Sequence, residues 1–93
     1  MIKRIYHTSE VEASELEELG RMFCEEAKMG TFDLPWFSRF VNGLLSAGTM
    51  AMWVVVRDER LVGGIGVLLA PSPFTGEVLA HEMFWFMAPD QRR

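Results

Sequence analysis

Ninety-three residues, 49% hydrophobic and 24% charged, describe a single globular domain, residues 1–93, that buries only roughly 60 to 65% of its unfolded surface. A net charge of −4 and a pI near 5.1, with basic residues adjacent only at Lys3 and Arg4 and at Arg92 and Arg93, exclude an electrostatic footprint for nucleic acid. The longest uncharged run, Phe40 to Val56, holds Asn42, Gly43, Ser46 and Gly48 and falls short of the ~20 apolar residues of a bilayer span, so no membrane anchor is expected.

In chain order, "IKRIY" from Ile2 to Tyr6 alternates weakly and suits a short edge strand. Ser9 followed by Glu12 forms a capping box and predicts a helix start. Leu16, Leu19, Phe23 and Ala27 then recur at three- and four-residue steps, giving one apolar stripe down to Gly30, which suits a left-handed stop. Glu10, Glu12, Glu15, Glu17, Glu18, Glu25 and Glu26 read as the solvated opposite face. A second helix is signalled by Asp33 as cap, Pro35 in the first turn and Gly48 as terminator. Its apolar residues Trp36, Phe37, Phe40, Val41, Leu44 and Leu45 cover about half the circumference, a stripe that must be buried.

From Thr49 the period changes. "TMAMWVVV", the turn "RDER" and "LVGGIGVLLA" predict a hairpin; "PSPFTGE" is a loop, and "VLAHEMFWFM" is a further strand ended by Pro89. In that last strand Phe84 and Phe86 are expected on one face and Met83, Trp85 and Met87 on the other. A sheet apolar on both sides is normally covered on both, and two helices suffice for one. The expected fold is therefore α+β, with two N-terminal helices packed on one face of a three- to four-stranded, mainly antiparallel sheet.

The order helix, helix, long hairpin "VVVRDERLVGGIGV", bulky strand "HEMFWFM" and then Pro89 three residues before Arg92 resembles the N-terminal half of the GNAT superfamily of acyl-CoA-dependent N-acetyltransferases. The resemblance implies that this strand leads to a Q/R-x-x-G-x-G/A motif whose backbone amides hold the pyrophosphate of coenzyme A at a helix N-terminus. Arg92 matches its first position and Arg93 its second; the motif's glycines would follow Arg93. It further implies Glu82 as general base, with burial beside Phe84 and Phe86 disfavouring its charged form, and His81 as a weaker proton-shuttle candidate. The backbone of Phe86, Met87 and Ala88 would hydrogen-bond the pantetheine arm. Some phage-encoded members carry a similar Glu, aromatic strand, Pro and Arg, which implies a phage or prophage source.

Other motifs carry less. "GGIG" at Gly63 to Gly66 lies inside a strand and opens no helix, so it is no dinucleotide fingerprint; small residues that permit close helix packing are the simpler reading. His7 and His81 lack metal-site spacing, and no metal is expected. Cys24, the lone cysteine, is read as a small hydrophobe and leaves no disulfide to suggest an oxidising compartment. In the family, the region corresponding to "MGTFDLPWF" walls the acceptor site, although core packing of Phe32 and Trp36 explains it more simply.

Two functional expectations follow. The first is a half-domain lacking the pyrophosphate loop, non-catalytic alone, acting by protein binding as a small phage-type inhibitor or assembly factor. It is expected in the cytoplasm, the host's if phage-encoded, and as a homodimer or with a protein partner along the last strand and the uncovered sheet face. The second is a truncated or split N-acetyltransferase, using acetyl-CoA only when a second half completes it.

Overall fold

The protein is described by a computed structural model covering residues 1–92. Strands β1 (Ile2–Ile5), β2 (Met50–Arg57), β3 (Arg60–Pro71) and β4 (Val78–Met87) pair in chain order as one antiparallel meander, with helices α1 (Ala13–Ala27) and α2 (Leu34–Ser46) inserted after β1. The expected α+β arrangement is what forms. β2 and β3 are joined by a two-residue loop in which Asp58 and Glu59 both take positive φ, 51° and 63°, as the tightest twisted hairpin turn requires.

Register decides which side chains meet the helices. Ile5, Met52, Gly66 and Phe84 form one cross-strand row, and Val54, Gly64 and Phe86 another. These rows face α1 and α2, where Ile5, Met52, Val54 and Phe86 are buried with Leu16, Leu19 and Val41 in one core. Each such side chain contributes about 1.5–3 kcal/mol by leaving water. The intervening rows, Arg4 with Trp53, Ile65 and Trp85, and Ile2 with Val55, Gly63 and Met87, face away. Among the described residues no helix covers them: Trp85 is 65% exposed and Ile2 70%. The Arg4 guanidinium lies over both Tyr6 and Trp53, its carbon 4.9 and 5.5 Å from the ring centres.

Two strands depart from simple alternation: Val55 pairs with Gly63 but Val56 with Leu61, which makes Val62 the extra residue of a bulge in β3. Gly66 pairs with Phe84 but Val67 pairs with Glu82, so Met83 is the extra residue of a bulge. Met83 consequently borders the helix-side cavity together with Phe84, and not the open face expected for it.

The helix ends also differ from expectation. The capping box is made by His7 and Glu10 around a 3-10 turn at Thr8–Glu10, where Nδ1 of His7 accepts from the Ser9 amide at 3.1 Å. The Glu10 carboxylate accepts from the amides of Tyr6 and His7. Ser9 and Glu12 do not form the expected box, and α1 starts four residues after Ser9 without a side-chain cap. Helix α1 stops two residues earlier than expected because Lys28 already takes the left-handed conformation at its C-cap, ahead of Gly30. Asp33 caps α2 as expected, accepting from the Trp36 amide at 2.9 Å. The 3-10 turn is tied to α2 by Asn42, whose amide group accepts from the Thr8 backbone at 2.8 Å and donates to its hydroxyl at 2.9 Å.

Only part of the wide stripe on α2 is covered. Val41 is buried and Phe37, Leu44 and Leu45 are half-buried, while Trp36 and Phe40 stack on each other at 5.9 Å in solvent. Ala27, at the end of the α1 stripe, is also exposed. Among the described residues no helix is long and apolar enough to cross a membrane.

Candidate functional site

The end of β4 meets the C-terminal half of α1 in a cleft of about 680 Å³, lined by Phe23, Glu26, Arg57, Trp85, Phe86, Met87, Gln91 and Arg92. Phe86 anchors it from the core side, its ring edge-on to Phe23 at 5.4 Å. A 3-10 turn at Pro89–Gln91 then folds the chain across the mouth, since Pro89 cannot donate to a continuing ladder.

β4 is the last strand of the sheet, so its outer edge has no strand partner among the described residues. The Ala88 amide donates to the Val62 carbonyl at 2.8 Å. Antiparallel alternation then directs the backbone groups of Phe86 and Ala88 towards β3 and those of Trp85 and Met87 outward. Of the three residues expected to offer backbone to a pantetheine arm, Met87 alone is so oriented; Phe86 is occupied within the sheet, and Ala88 bonds Val62 through its amide and the Gln91 amide through its carbonyl.

Arg92 is the most connected residue of the cleft. Its Nε donates to the Met87 carbonyl at 2.9 Å, a terminal nitrogen donates to Glu26 at 2.7 Å, and its guanidinium lies 5.0 Å from the Phe86 ring centre. The hydrogen bond from Arg92 holds the Glu26 carboxyl below the usual carboxylate range, and Glu26 in turn raises Arg92. Arg57 is the second cation and donates to Gln91 through its side-chain oxygen at 3.0 Å and its carbonyl at 3.3 Å. Arg93 lies outside the described residues.

Phe86, Met87 and Arg92 are thus brought together, whereas Glu82 and His81 are not part of the cleft. Glu82 is exposed and shares its row with Val67, so it stands in solvent and not against the two phenylalanines as expected. His81 is exposed as well, opposite Leu68. Sequence reasoning missed Glu26, Arg57, Trp85 and Gln91. Glu26 was counted with the solvated acids, yet it binds Arg92, 66 positions away; Glu15, from the same set, accepts from the Leu61 amide at 2.7 Å. No local spacing announces pairs so distant. Phe32 packs on Phe37 at 5.3 Å, as the core reading expects, while Trp36 does not. No group of residues able to hold a metal ion occurs among those described.

The residues present match one part of coenzyme A better than another. The outward edge of β4 suits the neutral, amide-bearing arm. For the diphosphate the described residues offer two cations, Arg92, ion-paired to Glu26, and Arg57, hydrogen-bonded to Gln91, and no row of free helix-terminal amides among the described residues.

No family model matches this sequence, and neither does any curated protein. Solved structures do. The whole chain superposes on a probable acetyltransferase with a TM-score of 0.77 at 16% identity, covering 60% of that protein. A ribosomal-protein-alanine N-acetyltransferase from Brucella melitensis biovar Abortus 2308 gives 0.70 at 20% identity over 99% of this chain and 59% of the other. A predicted acetyltransferase with acetyl-CoA from Clostridium acetobutylicum gives 0.68 at 12% identity over 99% and 62%. The chain spans about three fifths of each relative's length. The likeness is one of fold: the helix pair and antiparallel meander of this chain superpose on part of each of these acetyltransferases.

Proposed function

We propose that this chain forms the β4 side of an acetyl-CoA-dependent N-acetyltransferase and is catalytically competent only when a further polypeptide segment completes the sheet beyond β4. The observation that carries this reading is the outer edge of β4, unpaired and ending in a cleft that holds Met87 and Arg92. In the assembled enzyme acetyl-CoA would supply the acyl group. The backbone of Trp85 and Met87 would align its arm, with Arg92 swinging from the Met87 carbonyl to free that acceptor. Glu82 is the sole carboxylate on β4 and has no hydrogen-bond or ion-pair partner among the described residues, which leaves it able to take a proton from an attacking amine.

Calorimetric titration with acetyl-CoA tests this, using the chain alone and the chain extended by or mixed with the segment encoded downstream of Arg93. No binding alone and micromolar binding on completion is the expected pair of results. Micromolar binding by the chain alone would overturn the requirement for completion, and no binding in either form would overturn the enzymatic reading.

A second reading, protein binding without catalysis, is favoured by one observation: the open face presents Trp85 to solvent beside the free edge of β4. Here a second copy or another protein covers β4. Light scattering coupled to size exclusion tests the homodimer, and a monomer at micromolar concentration would contradict it.

A further inference from the structure

The edge of the sheet away from β4 is β1, and its pairing with β2 fixes which backbone groups are in use. Met1 exchanges two backbone bonds of 2.8 Å with Val56, so the bonded pairs continue at Lys3 with Val54 and at Ile5 with Met52. The amides and carbonyls of Ile2, Arg4 and Tyr6 therefore point away from the sheet. At the last of these positions the donor is already taken: the Glu10 carboxylate accepts from the Tyr6 amide at 2.6 Å and from the His7 amide at 3.1 Å. Ile2 and Arg4 have no strand beside them among the described residues.

This edge is basic in an otherwise acidic chain. Residues 1–9 hold Lys3 and Arg4 and no acid, whereas the net charge of the whole is −4. Neither cation forms an ion pair among the described residues. The stacking of Arg4 between Tyr6 and Trp53 orients its guanidinium without neutralising it. Because Lys3 and Arg4 are consecutive in a strand, their side chains stand on opposite faces, and one cation flanks each side of the edge. A second copy of β1 suits the edge poorly. Two copies joined through the outward groups of Ile2 and Arg4 would set Lys3 directly opposite Lys3, and like charges so placed are destabilising. Lysine on an edge ordinarily keeps other strands away. Here the deterrent is selective, since it repels a basic strand and attracts an acidic one, and the next position along the edge already seats the carboxylate of Glu10.

We propose that the outer edge of β1 is a docking site for a short extended segment of another protein that carries two consecutive acidic residues. Added antiparallel, the segment completes the backbone bonds of Ile2 and Arg4. Its successive side chains point to opposite faces, so adjacent carboxylates meet Arg4 on the open face and Lys3 on the helix side. Glu10 closes the edge beyond Arg4 and limits the segment to about four paired residues. The inference does not depend on the acetyl-transfer reading, because β1 and the cleft lie at opposite edges of the sheet.

The blocked peptide acetyl-Thr-Val-Glu-Asp-Val-Thr-amide is the probe, and acetyl-Thr-Val-Lys-Lys-Val-Thr-amide is its control. Followed by amide NMR, the acidic peptide should shift the Ile2 and Arg4 amides saturably and slow their exchange, while Lys3 and Ile5, already bonded to β2, change little. The lysine peptide should bind roughly tenfold more weakly. Lys3→Glu should abolish that preference, since one of the two cations is exchanged for an acid. Absence of saturable shifts at Ile2 and Arg4 up to roughly 10 mM acidic peptide overturns the proposal. So do equal affinities for the two peptides, an unchanged preference in Lys3→Glu, or shifts confined to Trp85 and Met87, which would put the peptide on β4. Protection of Ile2 and Arg4 without peptide, in protein that light scattering shows to be dimeric, would assign the edge to a second copy and equally overturn it.

Discussion

The two faces of this sheet are built from the same kinds of residue and meet different fates. Towards the helices, Ile5, Met52, Val54 and Phe86 are buried in one core. On the other side Trp53, Ile65 and Trp85 form an apolar row that ends in Arg4 on β1, yet Trp85 remains 65% exposed. Hydrophobicity alone does not separate them, since only coverage differs. Burial is a property of what the rest of the chain brings to a surface, and here two helices serve one face.

The comparison is broken most forcefully at its buried end. Ile5→Ala removes a side chain with no exposed surface and should cost about 2–5 kcal/mol, read as a large fall in the denaturation midpoint. Gly66→Ala pushes a methyl into Met50 and Phe84 and should cost about 1–3 kcal/mol. Trp85→Ala, on the open face, should change the stability of the isolated chain by no more than about 0.5 kcal/mol. A cost there as large as at Ile5 would mean that the two faces are not different after all.

The smallest effect is at the cleft. Glu26→Gln removes a surface ion pair and should leave global unfolding nearly unchanged while freeing the Arg92 guanidinium, visible in its Nε resonance. The same release should occur with acid. Because Arg92 depresses the Glu26 carboxyl in the folded chain, the tether is fully present above the ordinary value of 4.5 and is lost as pH falls through the lower folded value. Release on raising the pH would contradict the assignment.

Much of the frame is legible in the sequence because it is local. The limits of β4, the Asp33 cap and the hairpin around Asp58 and Glu59 each depend on residues within a few positions of one another. What was not legible depends on chain segments far apart. The bulge that redirects Met83 comes from register against β3, and neither strand declares it alone. The Arg92 tether joins α1 to the residues after β4, and the Arg57 link to Gln91 joins the hairpin to the same turn. Local rivalry also misled: His7 and Glu10 form a capping box two residues before the Ser9 and Glu12 spacing that looked stronger. The run "GGIG" shows the same limit. As a string it is three glycines and an isoleucine, yet in register a Cβ would strike neighbouring side chains at Gly63 and Gly66 and make only an ordinary contact at Gly64.

The central proposal is that the outer edge of β4, unpaired among the described residues, is completed by another segment. Amide hydrogen exchange on dilute protein, shown to be monomeric by light scattering, tests it most directly. The account predicts rapid exchange at Trp85 and Met87 alternating with protection at Phe86 and Ala88. Equal protection at all four in the monomer would contradict it, because the edge would then be covered by the chain itself.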